Sequence, residues 1–337
     1  MRGGAREGHG AAQPHKVRRK VDGLLLLDKP SGITSNAALQ KLKWLYGARK
    51  AGHTGSLDPL ASGMLPICFG EATKLSQYLL GADKTYLVRA RFGIRTDTAD
   101  SDGAVIETTD ALIADEAALG KALDQLTGPI LQVPPMYSAL KHQGQRLYEI
   151  ARAGREVARV PRPVEVYSFG IERFDPHTPL LRVSCSKGTY VRVLIEDLAK
   201  LLGSLAHVIE LRRISVGSFA ESAMLTIEQC MSAAEAGEAA LDALLRPLDE
   251  VVGQWPLIRL GPQEVQLLLC GNQVRVQADL AAGMVRLHTE SGGFFGMGEL
   301  MADGRLLPRR LLAHDSGTRS SGPPDRSAIP VTDTWLE

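Results

Sequence analysis

A chain of 337 residues is long enough for two domains, or for one large domain with an appendage, and its 44% hydrophobic content is that of an ordinary globular protein. With 39 Lys and Arg against 38 Asp and Glu, the formal net charge is +1, which excludes a global polycation. Any affinity for a polyanion must then come from a local arrangement of charge.

Residues 1 to about 20 hold Gly, His, Arg and Lys and almost no apolar side chains, the composition of a disordered, weakly basic tail. Leu24 to Leu27 is a short apolar strand, and Lys29-Pro30-Ser31-Gly32 turns the chain. Thr34 or Ser35 caps a helix that runs to about Tyr46. Met64 to Phe69 reads as a second apolar strand, Glu71 to Leu80 as a helix, and Thr85 to Phe92 as a strand of β-branched and aromatic residues. Ala114 to Leu126 reads as a helix ended by Gly128-Pro129. Val164 to Phe174 and Leu180 to Ser186 read as adjacent antiparallel strands, followed by an amphipathic helix from Tyr190 to Leu202.

From about Gly253 the pattern changes to short strands at Leu257–Leu260, Gln273–Val276, Met284–His288, Phe294–Leu300 and Arg305–Leu307. One helix, Pro262 to Cys270, interrupts them. That is the pattern of a small separate β-barrel. The residues after about 313 are rich in Ser, Gly, Pro and Asp and read as a second disordered tail. Strands and helices mix without a regular βαβ repeat, which favours an α+β fold over a doubly wound one.

The four cysteines, Cys68, Cys185, Cys230 and Cys270, form no C-x-x-C pair. Neither a zinc ribbon nor a disulfide framework fits that spacing; scattered core thiols in a reducing compartment do. No apolar run reaches membrane-spanning length, and no signal-like apolar region follows the basic N-terminus, so the expected location is cytoplasmic, away from membranes.

Chemistry concentrates in Ala51-Gly-His-Thr-Gly-Ser-Leu-Asp-Pro-Leu-Ala-Ser-Gly63. The glycines permit close backbone approach, and Pro59 biases Asp58 towards an extended conformation, so its carboxylate is presented from a rigid loop. An Asp before Pro is also an ordinary turn residue, and spacing alone leaves both readings open. His53 stands five residues upstream.

Other stretches carry reactive types. Tyr86 begins a strand in Lys84-Thr-Tyr86, a position that suits either stacking on a base or filling the core. Ser186-Lys-Gly-Thr-Tyr-Val-Arg192 enters a helix through glycine, and a helix N-terminus attracts phosphate. Arg192 falls in the first helical turn, where the macrodipole disfavours a cation, so it calls for a carboxylate partner; Glu196, one turn on, is an ordinary alternative. His207 to Ser215 offers Arg212 and Arg213 after an apolar run. Between Pro134 and Pro163 lie Lys141, His142, Arg146, Arg152, Arg155, Arg159 and Arg162 against only Glu149 and Glu156. That bias inside a nearly neutral chain fits a short basic helix on a projecting loop that contacts phosphate.

Five of these stretches, in order and in spacing, resemble the bacterial tRNA pseudouridine-55 synthases: Gly23 to Ser35, Gly52 to Gly63, Lys84 to Tyr86, Ser186 to Arg192 and Leu211 to Arg213. The resemblance spans about Val21 to Leu312. It implies a mixed, mainly antiparallel central sheet flanked by helices and loops in a catalytic domain over 21–250, with an RNA-gripping insertion at about 134–163. Residues 253–312 would form a PUA-like RNA-binding barrel.

The implied reaction isomerises a uridine in the T arm of tRNA. The C1′–N1 bond breaks, the uracil rotates, and C5 joins C1′. Such a reaction involves no redox step and no net hydrolysis, and the resemblance implies no cofactor and no metal. It assigns the essential carboxylate to Asp58, its charge partner to Arg192, and stacking on the everted base to Tyr86. His53 would stand near the displaced stack, and Tyr190 and Leu211 would line the pocket. Lys29 and Lys74 would support the pocket or contact phosphate. The residues leave Asp58 two roles, attack on carbon or base towards the sugar. The implied partner is tRNA, engaged by a monomer with no obligatory protein partner. Two other classes compete: an RNA-folding protein without chemistry, and hydrolysis of a sugar–base bond, which usually recruits two carboxylates where only one stands out here.

Overall fold

A computed structural model describes residues 18–138 and 140–312. The disordered tails expected from composition fall on residues 1–17 and 313–337, outside the described residues. Residues 18–20, counted with the first tail, are instead held down. Arg19 N donates to Gly47 O at 2.7 Å, and its guanidinium bonds Asp242 Oδ2 at 2.6 Å and Tyr46 O at 3.0 Å.

The chain opens with β1 (Gly23–Lys29), a buried run of leucines. Helix α1 (Ser35–Leu45) starts where the Thr34 hydroxyl accepts from Ala37 N at 3.1 Å, and its inner face is Ala38, Leu39, Leu42 and Leu45. Strands β2 (Ala51–His53) and β3 (Ser62–Phe69) flank the loop that carries Asp58. The single helix expected over 71–80 is two pieces. A 3-10 segment, Gly70–Leu75, packs Ala72 and Leu75 inward before α2 (Ser76–Leu80).

Strand β4 (Lys84–Phe92) leads to a hairpin of β5 (Ile94–Thr96) and β6 (Val105–Thr108). Next come α3 (Glu116–Gln125), capped by Asp115 on Ala118 N at 2.7 Å, and β7 (Gly128–Gln132). The basic insertion holds a small hairpin, β8 (Lys141–His142) with β9 (Gln145–Arg146), and one short helix, α4 (Leu147–Arg152). Strands β10 (Arg162–Arg173) and β11 (Leu180–Cys185) follow, then α5 (Val191–Leu201), β12 (Ala206–Val216) and β13 (Phe219–Ala220). Helices α6 (Ile227–Glu235) and α7 (Glu238–Asp242) complete this part.

Nine of these thirteen strands form one sheet in the order β1-β3-β12-β4-β11-β10-β7, with β2 on β3 and β13 on β12; the β5–β6 and β8–β9 hairpins stand apart from it. Every pairing in it is antiparallel except β3 with β12, which join in parallel through Arg212–Ser62 and Arg213–Gly63. The class is therefore mixed, mainly antiparallel α+β. Strand β12 lies at its centre although His207 to Ser215 lacks a clean alternation. Bulges at Val208/Glu210 and Arg213/Ser215 break the period of two.

The main core lies between the sheet and helices α1, α3 and α5, around Leu25, Leu42, Ile67, Val88, Leu194 and Leu198. The C-terminal part comprises β14 (Leu257–Leu260), α8 (Pro262–Leu269), β15 (Val274–Arg275), β16 (Gly283–Thr289), β17 (Phe294–Leu300) and β18 (Arg305–Leu311). Its five strands run β14-β16-β17-β18-β15 as a half-barrel with its own core around Leu268, Leu287 and Phe295. A further apolar cluster, with Leu24, Met64 and Cys68 from the large sheet, takes in Met297 and Leu312.

Candidate active site

Asp58 sits on the loop between β2 and β3, beside the parallel junction of β3 with β12. The turn after β1 clamps that loop. Ser35 Oγ donates to Leu57 O at 3.0 Å and accepts from Leu57 N at 2.8 Å. Gly32 N donates to Pro59 O at 2.8 Å, and Ser31 Oγ to Leu60 O at 2.7 Å. Gly63 closes the far end at φ +94, where an added Cβ would lie 2.3 Å from Arg213 O. Only glycine lets β3 run that close to β12.

Lys29 belongs to the clamp. Its side chain is fully buried, with Nζ donating to Pro30 O and Ile33 O at 2.8 Å and to Pro59 O at 3.4 Å. Burial pushes its ammonium down to about 8, Asp58 opposing that shift and Arg213 adding to it. Of the two roles expected of Lys29, the geometry fits support of the loop; a buried ammonium bonded to carbonyls does not reach phosphate.

Arg192 stands opposite Asp58, with Nε 3.0 Å from Asp58 Oδ2. The rest of its guanidinium is spoken for: Nη1 donates to Thr98 O at 2.7 Å and lies 3.5 Å from Asp100 Oδ2, and Nη2 donates to Tyr137 O at 2.8 Å. One buried arginine thus joins three loops, and its carboxylate partners are Asp58 and Asp100. The side chains of Arg192 and Asp100 are both 6% exposed, whereas that of Asp58 is 42% exposed. Asp58 faces solvent on one side and a protein wall on the other. Desolvation by that wall raises its carboxyl above the usual carboxylate range; Arg192 pulls it back down, and Asp100 and Asp102 add to the rise.

Tyr86 pairs with Arg213 across β4 and β12 and is 8% exposed within the main core. Burial raises its phenol above the usual range, with the Arg213 charge opposing. His53, at the end of β2, has no hydrogen-bond partner for Nδ1 among the described residues, and burial, with the Arg213 charge adding to it, lowers its pKa. Tyr190 is the residue immediately before α5. Leu211, on β12, borders a cavity of about 380 Å³ whose wall includes Ser31, Leu60 and Arg212. Asp58, Arg192, Tyr86, Tyr190 and Lys29 are thus gathered around one point of the sheet: Arg192 pairs with Asp58, and the Asp58 charge is felt at Tyr86, Tyr190 and Lys29. Lys74 is apart from them. Its Nζ pairs with Glu71 at 2.7 Å and reaches Leu311 O at 3.5 Å, at the seam with the C-terminal half-barrel.

Sequence reasoning misses two residues of the site and undervalues a third. Asp100 lies in a loop rich in Asp, Thr and Ser that carries no motif. Gln132 is a single amide at the end of an unforeseen edge strand. Arg213, legible only as one of two adjacent arginines, is 1% exposed, donating from Nε to Met64 O at 2.7 Å and from Nη2 to Gly55 O at 3.0 Å. The signal for its burial is its place in a strand between Leu211 and Ile214, where a buried charge must find partners.

The insertion presents Arg146, Arg152 and Arg155 as exposed side chains, the first two over the Tyr148 ring at 5.9 and 5.7 Å. Arg159 is folded back, donating to Glu156 Oε1 at 2.7 Å and to Pro134 O at 3.1 Å.

Against known proteins, residues 43–191 match the model of the N-terminal domain of the TruB family pseudouridylate synthases. Residues 192–253 match the tRNA pseudouridylate synthase B C-terminal domain, and 256–312 the C-terminal domain of pseudouridine synthase II TruB. The tRNA pseudouridine synthase B of Stutzerimonas stutzeri is 51% identical over 302 residues, covering 89% of this chain and 99% of that protein. Its namesake from Pseudomonas aeruginosa is 48% identical with the same coverage. Among solved structures, a Cbf5-Nop10-Gar1 complex is similar with a TM-score of 0.66 and 25% identity over 89% of this chain and 86% of that one. An H/ACA RNP bound to a substrate RNA containing 2′-deoxyuridine has a TM-score of 0.68 at 22% identity, over 90% and 87% of the two chains.

Proposed function

The chain belongs to the TruB family of pseudouridylate synthases, and from that premise we propose that it isomerises a uridine of tRNA to pseudouridine at position 55 in the T loop. The observation that carries the reading is the Asp58 carboxylate, 3.0 Å from Arg192 Nε on a loop clamped by the turn after β1, with its charge felt at Tyr86. An everted nucleotide can reach such a carboxylate, whereas a stacked one cannot. Tyr86 and Leu211 would face the base and offset part of the unstacking cost of a few kcal/mol. His53 would stand where the base leaves its stack.

In this scheme Asp58 engages the sugar–base junction in its ionised form. The C1′–N1 bond breaks, the uracil turns, C5 bonds to C1′, and the proton released from C5 is balanced by one taken up at N1. Arg192 stabilises the charge on Asp58 and sets its direction. The chemistry of this isomerisation calls for no oxidant or reductant. Among the described residues no helix is long and apolar enough to cross a membrane, and we read the chain as a cytoplasmic enzyme that acts alone on tRNA.

Incubating the protein with unmodified tRNA and mapping pseudouridine tests the proposal. The expected signal is confined to the T arm, without free uracil. A signal elsewhere would reject the position, and free uracil would revive the hydrolytic reading.

Binding follows from the insertion. Replacing Arg146, Arg152 and Arg155 together with glutamine should lower tRNA affinity at low salt. It should also flatten the plot of log K against log salt by roughly 0.7–0.9 for each phosphate that is no longer neutralised. Arg159, already engaged by Glu156, should contribute less. An unchanged slope would make the basic face a merely solvated one.

A further inference from the structure

Gln132 is the last residue of β7 and is 2% exposed. An amide that deeply buried costs free energy unless both its donor and its acceptor are used. Both are used on one residue: Gln132 Nε2 donates to Tyr190 O at 3.1 Å, and Tyr190 N donates to Gln132 Oε1 at 2.7 Å. Tyr190 precedes α5 and provides no side-chain cap of its own, so the Gln132 amide fixes the entry of that helix. Arg192 is the second residue of the helix, and Tyr190 lies within reach of the Asp58 charge.

The other end of the link lies at the basic insertion. Gln132 pairs with Arg162 in the β7–β10 ladder, the rung from which the insertion departs and to which it returns. Just inside the insertion, Tyr137 O accepts from Arg192 Nη2. The neck of the insertion therefore holds the arginine directly, through Tyr137 O, and holds the residue two before it through Gln132.

We propose that Gln132 is a positioning residue that ties the RNA-contacting insertion to Tyr190 and Arg192, so that engagement of the insertion and alignment of the Asp58–Arg192 pair are one event. The proposal rests on the isomerase reading above. Gln132 touches neither the RNA nor the reacting atoms in this scheme. Its effect falls on the step after binding.

The test compares wild type, Gln132→Met and Gln132→Glu in single-turnover conversion of tRNA across pH, with tRNA affinity and thermal unfolding measured in parallel. Methionine fills the space without bonding Tyr190. Its rate should fall ~10-fold or more, as misplacement of a reacting group does, while tRNA affinity stays near that of wild type. Glutamate accepts from Tyr190 N as glutamine does, but donates to Tyr190 O only when protonated. Its rate relative to wild type should therefore rise as pH falls, a signature that a packing role would not produce.

A methionine variant with the wild-type single-turnover rate overturns the inference. So does a glutamate variant whose ratio to wild type is flat with pH, or a fall in rate matched by weaker tRNA binding. Absence of conversion by the wild type overturns the isomerase reading and this inference with it, an outcome distinct from active wild type with indifferent variants.

Discussion

Asp58→Asn should abolish pseudouridine formation while leaving a folded protein that binds tRNA. A positioned acid–base group contributes ~10²–10⁴ in rate, so a loss of at least ~10²-fold is expected if the carboxylate acts as a base, and more if it attacks carbon. The fold should tolerate the change for two reasons visible in the site. Arg192 keeps Asp100, Thr98 O and Tyr137 O when Asp58 is neutralised, so no buried cation is stranded. The titration of the carboxyl itself is the second reason. The folded-state pKa of Asp58 is raised, so the fold prefers the protonated carboxyl. Ionising it costs stability as pH rises through that window, and the cost is absent below the ordinary carboxylate pKa. Asparagine has no such cost, so its unfolding midpoint at neutral pH should equal or exceed that of wild type. Pseudouridine content of tRNA and thermal melts from pH 5 to 8 check both parts. Full conversion would remove Asp58 from the chemistry, and a large fall in the melting midpoint would recast it as a structural residue.

What the sequence could convey about this site follows from what kind of interaction each residue makes. The Asp58 loop was legible because its glycines and proline are local backbone signals, and Gly63 shows the reason: its neighbour is the Arg213 main chain. Arg192 announced itself as a cation at the wrong end of a helix, a local anomaly that required a remote answer. The residues that complete the site had no such anomaly. Asp100 looks like any loop aspartate until the β12 and α5 elements bring Arg192 to it. Gln132 gains meaning only from where the backbone of Tyr190 ends up.

The same division holds for the fold. Runs of leucine in β1 and of apolar residues in β3 predict strands directly. The bulged, charge-bearing β12 takes its place at the centre of the sheet through its neighbours on both sides. Lys29 and Lys74 show what a motif leaves open: a lysine beside it reads as pocket support or as a phosphate contact, and in the fold one is buried on carbonyls while the other is paired at a seam.

Arg192→Met should be the most damaging single change outside Asp58, because it acts on stability and on protonation together. Asp100, with 6% side-chain exposure, would lose its cation, and stranding one member of a buried pair costs ~3–5 kcal/mol. Three loops would lose a shared anchor: the Asp58 loop, the Thr98–Asp100 turn and the neck of the insertion at Tyr137. Arg192→Lys keeps one charge but not the planar fork that reaches all of them, so it should restore part of the stability and little of the rate. Asp58 would also respond. With Arg192 gone, desolvation and the charges of Asp100 and Asp102 still raise its carboxyl, and the largest opposing influence is removed. Activity that needs ionised Asp58 disappears as pH falls through its pKa, so the acid limb of the residual rate should move to higher pH than in wild type.

Adding Asp100→Asn to Arg192→Met separates the two effects. The double variant no longer buries an unpaired carboxylate and should recover much of the melting midpoint, a non-additivity expected for groups that touch each other directly. Its rate should remain low, because Asp58 still lacks its partner. Recovery of rate together with stability would show that Arg192 serves the fold alone. An acid limb unmoved in the single variant would show that the 3.0 Å pair has no hold on the carboxylate.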